Sequence, residues 1–227
     1  MGRIVSAIVP AYNEEDVISY TIKAIRDVEE IDKVYIIDDG SKDHTYQRAS
    51  SIEGDIVVLK NSKNSGKGKA LMLGVQEAIR TSDILVFLDA DLGTSSIEAR
   101  KLIAPILKNE ADVVIARFPR AKTKGGFGIV KALAKYGVYI RTGKKIKTAL
   151  SGQRAFKSEV LRDFKCYDTG FGIEVGMIID IMKKGYSVKE VDVEMTHKET
   201  GRDLKGFIHR GKQFVHIFKV IIKRSTP

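Results

Sequence analysis

Ile84-Leu85-Val86-Phe87-Leu88-Asp89-Ala90-Asp91 is an unbroken apolar run that ends in two carboxylates one residue apart. A run this short, rich in branched and aromatic side chains, reads as a strand buried on both faces. Residues 4–9, 33–37, 56–59 and 112–115 have the same character. Between these runs, residues 14–28, 43–51, 66–80 and 96–108 carry helical spacing. Strands that alternate with helices predict an α/β fold: a mostly parallel central sheet with helices on both faces. In open sheets of this kind ligands gather at the carboxyl ends of the strands, which is where Asp89 and Asp91 fall.

Beyond Arg117 the alternation is less regular. Pro119 and Gly125-Gly126 mark a loop. Residues 127–142 read as a helix, 151–156 as a strand, 170–184 as a helix and 187–195 as an alternating strand. Residues 204–222 fit a basic amphipathic helix. No repeat or linker interrupts the chain. The expectation is one domain over residues 1–227, with a donor half at 1–117 and an acceptor half at 118–227.

The 227 residues suffice for one sizeable core, and 43% apolar with 30% charged residues suits a globular chain. The lone Cys166 excludes an intramolecular disulfide and fits a reducing compartment. No stretch approaches the ~20 apolar residues of a membrane span, and the opening residues do not read as a signal peptide. Met-Gly-Arg with Ser6 fits a myristoylation pattern, but the strand at 4–9 makes that a chance match. The expected location is the cytoplasm, with the inner face of the membrane as an option. Net charge is +10, and between Val113 and Ser158 twelve Lys or Arg face no acidic residue. Such a wall favours anionic partners: phosphorylated substrates, an anionic membrane surface or nucleic acid. No nucleic-acid-binding motif or basic stacking platform accompanies it, so nucleic acid is not expected.

Three more segments carry chemistry. Ile37-Asp38-Asp39-Gly40-Ser41 is a second strand exit, where Asp39 can accept hydrogen bonds from a base or ribose. Val9-Pro10-Ala11-Tyr12-Asn13-Glu14-Glu15 is a third: Tyr12 offers a stacking face, and the acids suit the first turn of a helix. Asn64-Ser65-Gly66-Lys67-Gly68-Lys69-Ala70 joins close backbone approach to a helix start and two ammonium groups, a combination that attracts anions. It lacks Walker A spacing. The carboxylates of Asp89 and Asp91 can share a hard cation such as Mg²⁺ or Mn²⁺, or can serve as a polar strand exit that caps the next helix. Three strands that deliver polar loops to one sheet edge are harder to dismiss than any single loop.

In order and spacing, these four segments resemble the family 2 glycosyltransferases of GT-A fold. The resemblance implies that Pro10, Ala11, Tyr12, Glu14 and Asp39 hold a nucleoside, with Lys67 and Lys69 near base and phosphates. It implies that Asp91 binds the metal and that Asp89, with Ala90, contacts ribose or metal. In the second half, Ala116-Arg117-Phe118 and Ser151-Gly152-Gln153-Arg154-Ala155-Phe156 resemble polyprenyl-phosphate sugar synthases, which more often carry Gly-x-Arg and Ser-Gly-Phe-Arg. Residues 167–174 and Val193-Glu194-Met195-Thr196-His197 resemble glucosyl-3-phosphoglycerate synthases, which implies Glu174 beside the acceptor and His197 in the metal shell.

The expected reaction is metal-dependent transfer of a hexose from a UDP- or GDP-sugar to a phosphate-bearing acceptor, either polyprenyl phosphate or a small phosphorylated molecule. Asp89, Asp91 and Glu174 are the expected catalytic groups. Gln153 is expected to bind substrate, and Arg117, Arg154 and Arg202 to hold an anionic acceptor. Peripheral membrane contact through the last helix and a homodimer are further partner options. A sugar-phosphate nucleotidyltransferase is the rival enzyme, but Ala11-Tyr12-Asn13-Glu14 stands where its Gly-rich signature belongs.

Overall fold

The computed structural model describes residues 2–119, 128–162, 172–196 and 204–224, the last from its backbone alone up to residue 210. Seven strands form one sheet: β1 (Val5–Ala11), β2 (Lys33–Asp38), β3 (Ile56–Lys60), β4 (Ile84–Phe87), β5 (Val113–Arg117), β6 (Arg154–Lys157) and β7 (Val188–Asp192). The order is β3-β2-β1-β4-β6-β5-β7, parallel except for β6, which runs antiparallel to both neighbours. The helices are α1 (Ile18–Arg26), α2 (Thr45–Ser50), α3 (Lys67–Ala78), α4 (Arg100–Leu107), α5 (Ile129–Thr142), α6 (Ser158–Arg162), α7 (Ile173–Lys183) and α8 (Leu204–Lys223).

The pleat divides the strand side chains between two cores. Ile8, Ile37, Leu85, Phe87, Ile115 and Phe156 face one side, where α3, α5, α7 and α8 cover them. Val5, Val9, Ile36, Val86, Val114 and Ala155 face the other, packed on α1 and α4. Each strand is therefore apolar on both faces, which is why the runs look continuous in the sequence. Gly74 lets α3 lie close on the sheet, because a Cβ there would sit 2.4 Å from the Ile8 side chain.

Several boundaries differ from expectation. β1 continues through Pro10, which a central strand tolerates because pairing with β4 ends earlier, at Ile8 opposite Phe87. α1 starts at Ile18 rather than 14, after a turn in which the Glu14 carbonyl accepts from the Val17 and Ile18 amides. Glu14 and Glu15 therefore precede the first helical turn, which holds no acid, and the macrodipole reading fails. Glu15 instead accepts from the His44 backbone amide at 3.0 Å. The helix expected at 96–108 is a 3₁₀ turn, Gly93–Ala99, followed by α4. The short α6 has no counterpart in the sequence reading.

Candidate active site

A continuous string of hydrogen bonds joins the exits of β1, β2 and β4 to the start of β6. The Asn13 amide, at a positive φ of 55°, donates to Ser41 Oγ at 2.9 Å, and Asn13 Oδ1 accepts from the Lys42 amide at 2.9 Å. These bonds lock the first loop to the second.

Asp39, almost wholly buried at the end of β2, locks the second loop to the third. Its carboxylate accepts from the Ser65 amide at 3.0 Å, Ser65 Oγ at 2.7 Å, the Gly66 amide at 2.7 Å and Asn61 Nδ2 at 2.8 Å. Burial works to raise its pKa, but the donors from Ser65, Asn61 and Gly66 outweigh it and hold the carboxyl below its ordinary value. Asp39 was expected to face a base or ribose. Its oxygens are instead engaged by the Lys67-bearing loop, which it fixes at the start of α3. Gly40 makes room for that loop: at a φ of +74°, a Cβ there would lie 2.7 Å from the Lys63 carbonyl carbon.

The third loop delivers Lys67 to the carboxylates. Its ammonium lies 2.6 Å from Asp89 Oδ1 and 3.9 Å from Glu174 Oε1 in the first turn of α7. Desolvation acts to lower the Lys67 pKa, but Asp89 and Glu174 prevail and raise it. The other Asp89 oxygen, Oδ2, accepts from Gln153 Nε2 at 2.6 Å. Gly152 permits this crowding, since a Cβ would come 2.7 Å from Lys67 Nζ. The antiparallel course of β6 is the cause: with Arg154 opposite Phe87, the start of β6 lies beside the end of β4.

These groups open on a cleft of about 330 Å³ lined by Lys67, Asp89, Gln153 and Glu174 and also by Lys131 of α5 and Lys147. The wall from 147 to 153 is pinned twice. Glu190 of β7 accepts from the Lys147 amide at 2.9 Å and the Thr148 amide at 2.6 Å. Arg154 donates to the carbonyls of Ser151 at 2.8 Å, Ala149 at 2.9 Å and Glu174 at 3.0 Å.

The sequence-derived candidates separate on this geometry. Lys67, Asp89, Gln153 and Glu174 come together. Tyr12 is exposed beyond β1 and Asp91 half-buried beyond β4, both at the same edge; Pro10 and Ala11 end β1, Glu14 lies in the first loop, Ala90 is buried, and Lys69 is exposed on α3. Arg154 is a correction. Its side chain is 1% exposed, its donors are used on carbonyls, and burial pushes its pKa down to about 10 against the pull of Glu174, so it braces the wall rather than gripping an acceptor. Arg117 pairs with Asp192 across β5 and β7 and is absent from the cleft lining. His197, Arg202 and Cys166 lie outside the described residues. Among the described residues no three His, Cys, Asp or Glu side chains cluster as a metal cage. The sequence reading missed Lys131, Lys147, Gly152 and Glu190; only the acid-free stretch from Val113 hinted at the two lysines.

A family model described as "Glycosyl transferase family 2" matches residues 6–164. The chain is 30% identical over 203 residues to "Glycosyltransferase AglJ" of Haloferax volcanii, covering 88% of this chain and 65% of that protein. It is 29% identical to a "Dolichol-phosphate mannosyltransferase" of Pyrococcus furiosus, covering 85% of this chain and 56% of that one. The chain thus spans less than two thirds of the length of both. Glucosyl-3-phosphoglycerate synthase of Mycobacterium tuberculosis, solved with Mn²⁺, UDP and phosphoglyceric acid, superposes with a TM-score of 0.82 at 23% identity, over all of this chain and 80% of that one. The likeness to that structure establishes the fold.

Proposed function

This chain belongs to glycosyl transferase family 2, and from that premise we propose that it transfers a hexose from a nucleoside diphosphate sugar to a phosphate-bearing acceptor. One observation carries the proposal: Lys67, Asp89, Gln153 and Glu174 converge at the carboxyl edge of the sheet on a cleft that Lys131 and Lys147 also line. The Pyrococcus furiosus relative is named for transfer to dolichol phosphate. Sugar transfer to a phosphorylated acceptor suits such a cleft.

The donor half, residues 1–117, supplies the nucleotide site. Tyr12 offers a ring to the base, and Asp39 holds the loop that aims Lys67 and the start of α3 at the diphosphate. A divalent ion would be held in the mode that Mg²⁺ favours, one or two carboxylates completed by substrate phosphates, with half-buried Asp91 just beyond β4 as the carboxylate because Asp89 is engaged by Lys67 and Gln153. When bound there, Mg²⁺ or Mn²⁺ would neutralise charge on the departing nucleoside diphosphate. Asp89, already bonded to Lys67 and Gln153, orients those groups and the sugar or ribose.

In the reaction the sugar C1–O bond to the diphosphate breaks, its electron pair leaves with the nucleoside diphosphate, and an acceptor oxygen bonds to C1. A phosphate oxygen is ionised at neutral pH and needs no strong general base. Lys131 and Lys147 would steady that charge while Glu174, beside Lys67, positions the acceptor. The single cysteine suits a cytoplasmic setting.

The test is a donor panel, UDP- against GDP-sugars, read by calorimetry with Mn²⁺ present, followed by transfer assays with the Asp91→Ala variant. Wild-type transfer by Asp91→Ala in saturating Mn²⁺ would overturn the metal role. Release of pyrophosphate instead of nucleoside diphosphate would assign a nucleotidyltransferase.

A further inference from the structure

Eleven large apolar or tyrosine side chains are exposed among the described residues, and eight of them lie on α5 and α8. The two helices are clasped together. Gly137 of α5 sits against Ile221 of α8, where a Cβ would come within 2.1 Å of the isoleucine, and Arg141 Nε donates to the Ile221 carbonyl at 2.9 Å. Packing this close turns other residues outward. Tyr136 and Ile140 of α5 are 68% and 66% exposed, and Phe218 and Ile222 of α8 are 48% and 51% exposed. Phe214 and Phe218 stack one helical turn apart, with ring centroids 6.3 Å apart.

Neither helix contains an acidic residue. Exposed Lys131, Lys135, Lys212, Lys219 and Lys223 accompany the apolar residues. Exposed apolar side chains gathered on two helices that pack together mark an interaction site. Aromatic and aliphatic side chains with a cationic surround match an anionic bilayer, whose headgroups take the lysines while the apolar side chains enter the acyl boundary. A second copy fits less well, since a two-fold interface sets the same patch against itself and would juxtapose lysines with no carboxylate among them.

We propose that α5 and α8 together form a docking surface for an anionic membrane. α5 serves both the surface and the site, because Lys131 and Ala134 also line the cleft. The surface therefore brings the basic wall of the cleft next to the headgroup layer. That consequence, an acceptor phosphate presented from the lipid side, rests on the glycosyl-transfer reading; docking itself does not.

Co-sedimentation of the full chain with phosphatidylcholine vesicles, with and without phosphatidylglycerol, tests the proposal. Binding should require phosphatidylglycerol and weaken with salt. Ile140→Ser on α5 and Phe218→Ser on α8 should each lower partitioning about tenfold, the gain expected from burying one large apolar side chain, with circular dichroism and donor binding unchanged. Lys135→Glu with Lys219→Glu should remove the salt-sensitive part. No vesicle binding overturns the proposal, as does equal binding to neutral vesicles. Loss through Phe218→Ser with none through Ile140→Ser limits docking to α8 and overturns the two-helix surface. A stable dimer that Ile140→Ser dissociates, or retention of random oligonucleotides without vesicle binding, also overturns it. Donor binding and transfer to a soluble phosphate, measured on the same variants, separate failure of docking from failure of the glycosyl-transfer reading.

Discussion

Asp39→Asn should loosen the third loop and with it the proposed nucleotide site. In the wild type four groups donate to the carboxylate, and each oxygen is shared between donors from Ser65 and one neighbour. An amide keeps one acceptor, which can serve Asn61 and Ser65 Oγ. Its NH₂ then faces the Gly66 amide, which stood 2.7 Å from Oδ2, so two donors oppose each other. A bond to a charged acceptor contributes roughly 1.5–3 kcal/mol, and the stranded amide adds a penalty that water at this half-buried loop partly relieves, so about 3 kcal/mol is the expected loss. For a chain of this size that corresponds to a Tm lower by roughly 6–12 °C.

The pH dependence has a definite sign. Because the folded carboxyl is held below its ordinary 3.8, its stabilisation is complete above that value and disappears as pH falls through the lowered one. The gap between wild type and variant in urea unfolding should be constant near neutrality and narrow in acid. Calorimetry should show weaker binding of nucleoside diphosphate, because Lys67 follows Gly66 directly. A variant within about 1 kcal/mol of wild type, a difference that one neutral hydrogen bond would explain, refutes the account of Asp39 as the anchor.

Gly152→Ala should leave the fold intact, because its Cβ crowds only the flexible end of Lys67 and meets the Asp89 oxygens at ordinary contact, 3.5 and 3.6 Å, yet kcat/KM should fall as the ammonium is pushed off Asp89; unchanged kinetics would sink that role. Arg154→Lys removes a fork that serves three carbonyls, and an ammonium reaching one or two of them should cost about 2–3 kcal/mol in chemical unfolding, with KM for acceptor rising more than kcat falls. Asp112 accepts from Lys157 Nζ and Ser187; burial opposes these bonds, but they win and bring its pKa down to about 2. Its contribution should persist above 3.8 and vanish as pH falls through about 2. Asp112→Asn should therefore flatten acid unfolding, by about 1 kcal/mol after allowance for solvent.

Strand existence was legible in the sequence wherever a run is buried on both faces, as in Ile84–Phe87, because burial leaves no polar residue to break the pattern. Boundaries were not. Glu14 and Glu15 look like a helix start, but their bonds run to the neighbouring loop, a tertiary choice that local propensity does not encode. Lys67 and Asp89 stand 22 residues apart, and their meeting follows from parallel pairing that alternation predicts. Arg154 misled for the opposite reason. Arginine in a Ser-Gly-x-Arg segment reads as an anion grip, whereas its three partners are backbone carbonyls, and carbonyls have no sequence signature. Lys131 and Lys147 were invisible singly because nothing distinguishes them from solvated lysines until α5 and the 147–153 segment are folded across the cleft.

The reversed strand β6 has a mechanical consequence. Hydrogen-bonded between β4 and β5, it rivets the β3-β2-β1-β4 side of the sheet and the β5-β7 side into a single plate. A two-jawed enzyme can gape about a hinge; here a swing between the parts would have to unzip a ladder in the middle of the core. On the glycosyl-transfer reading, reactants would therefore come and go with this chassis unchanged.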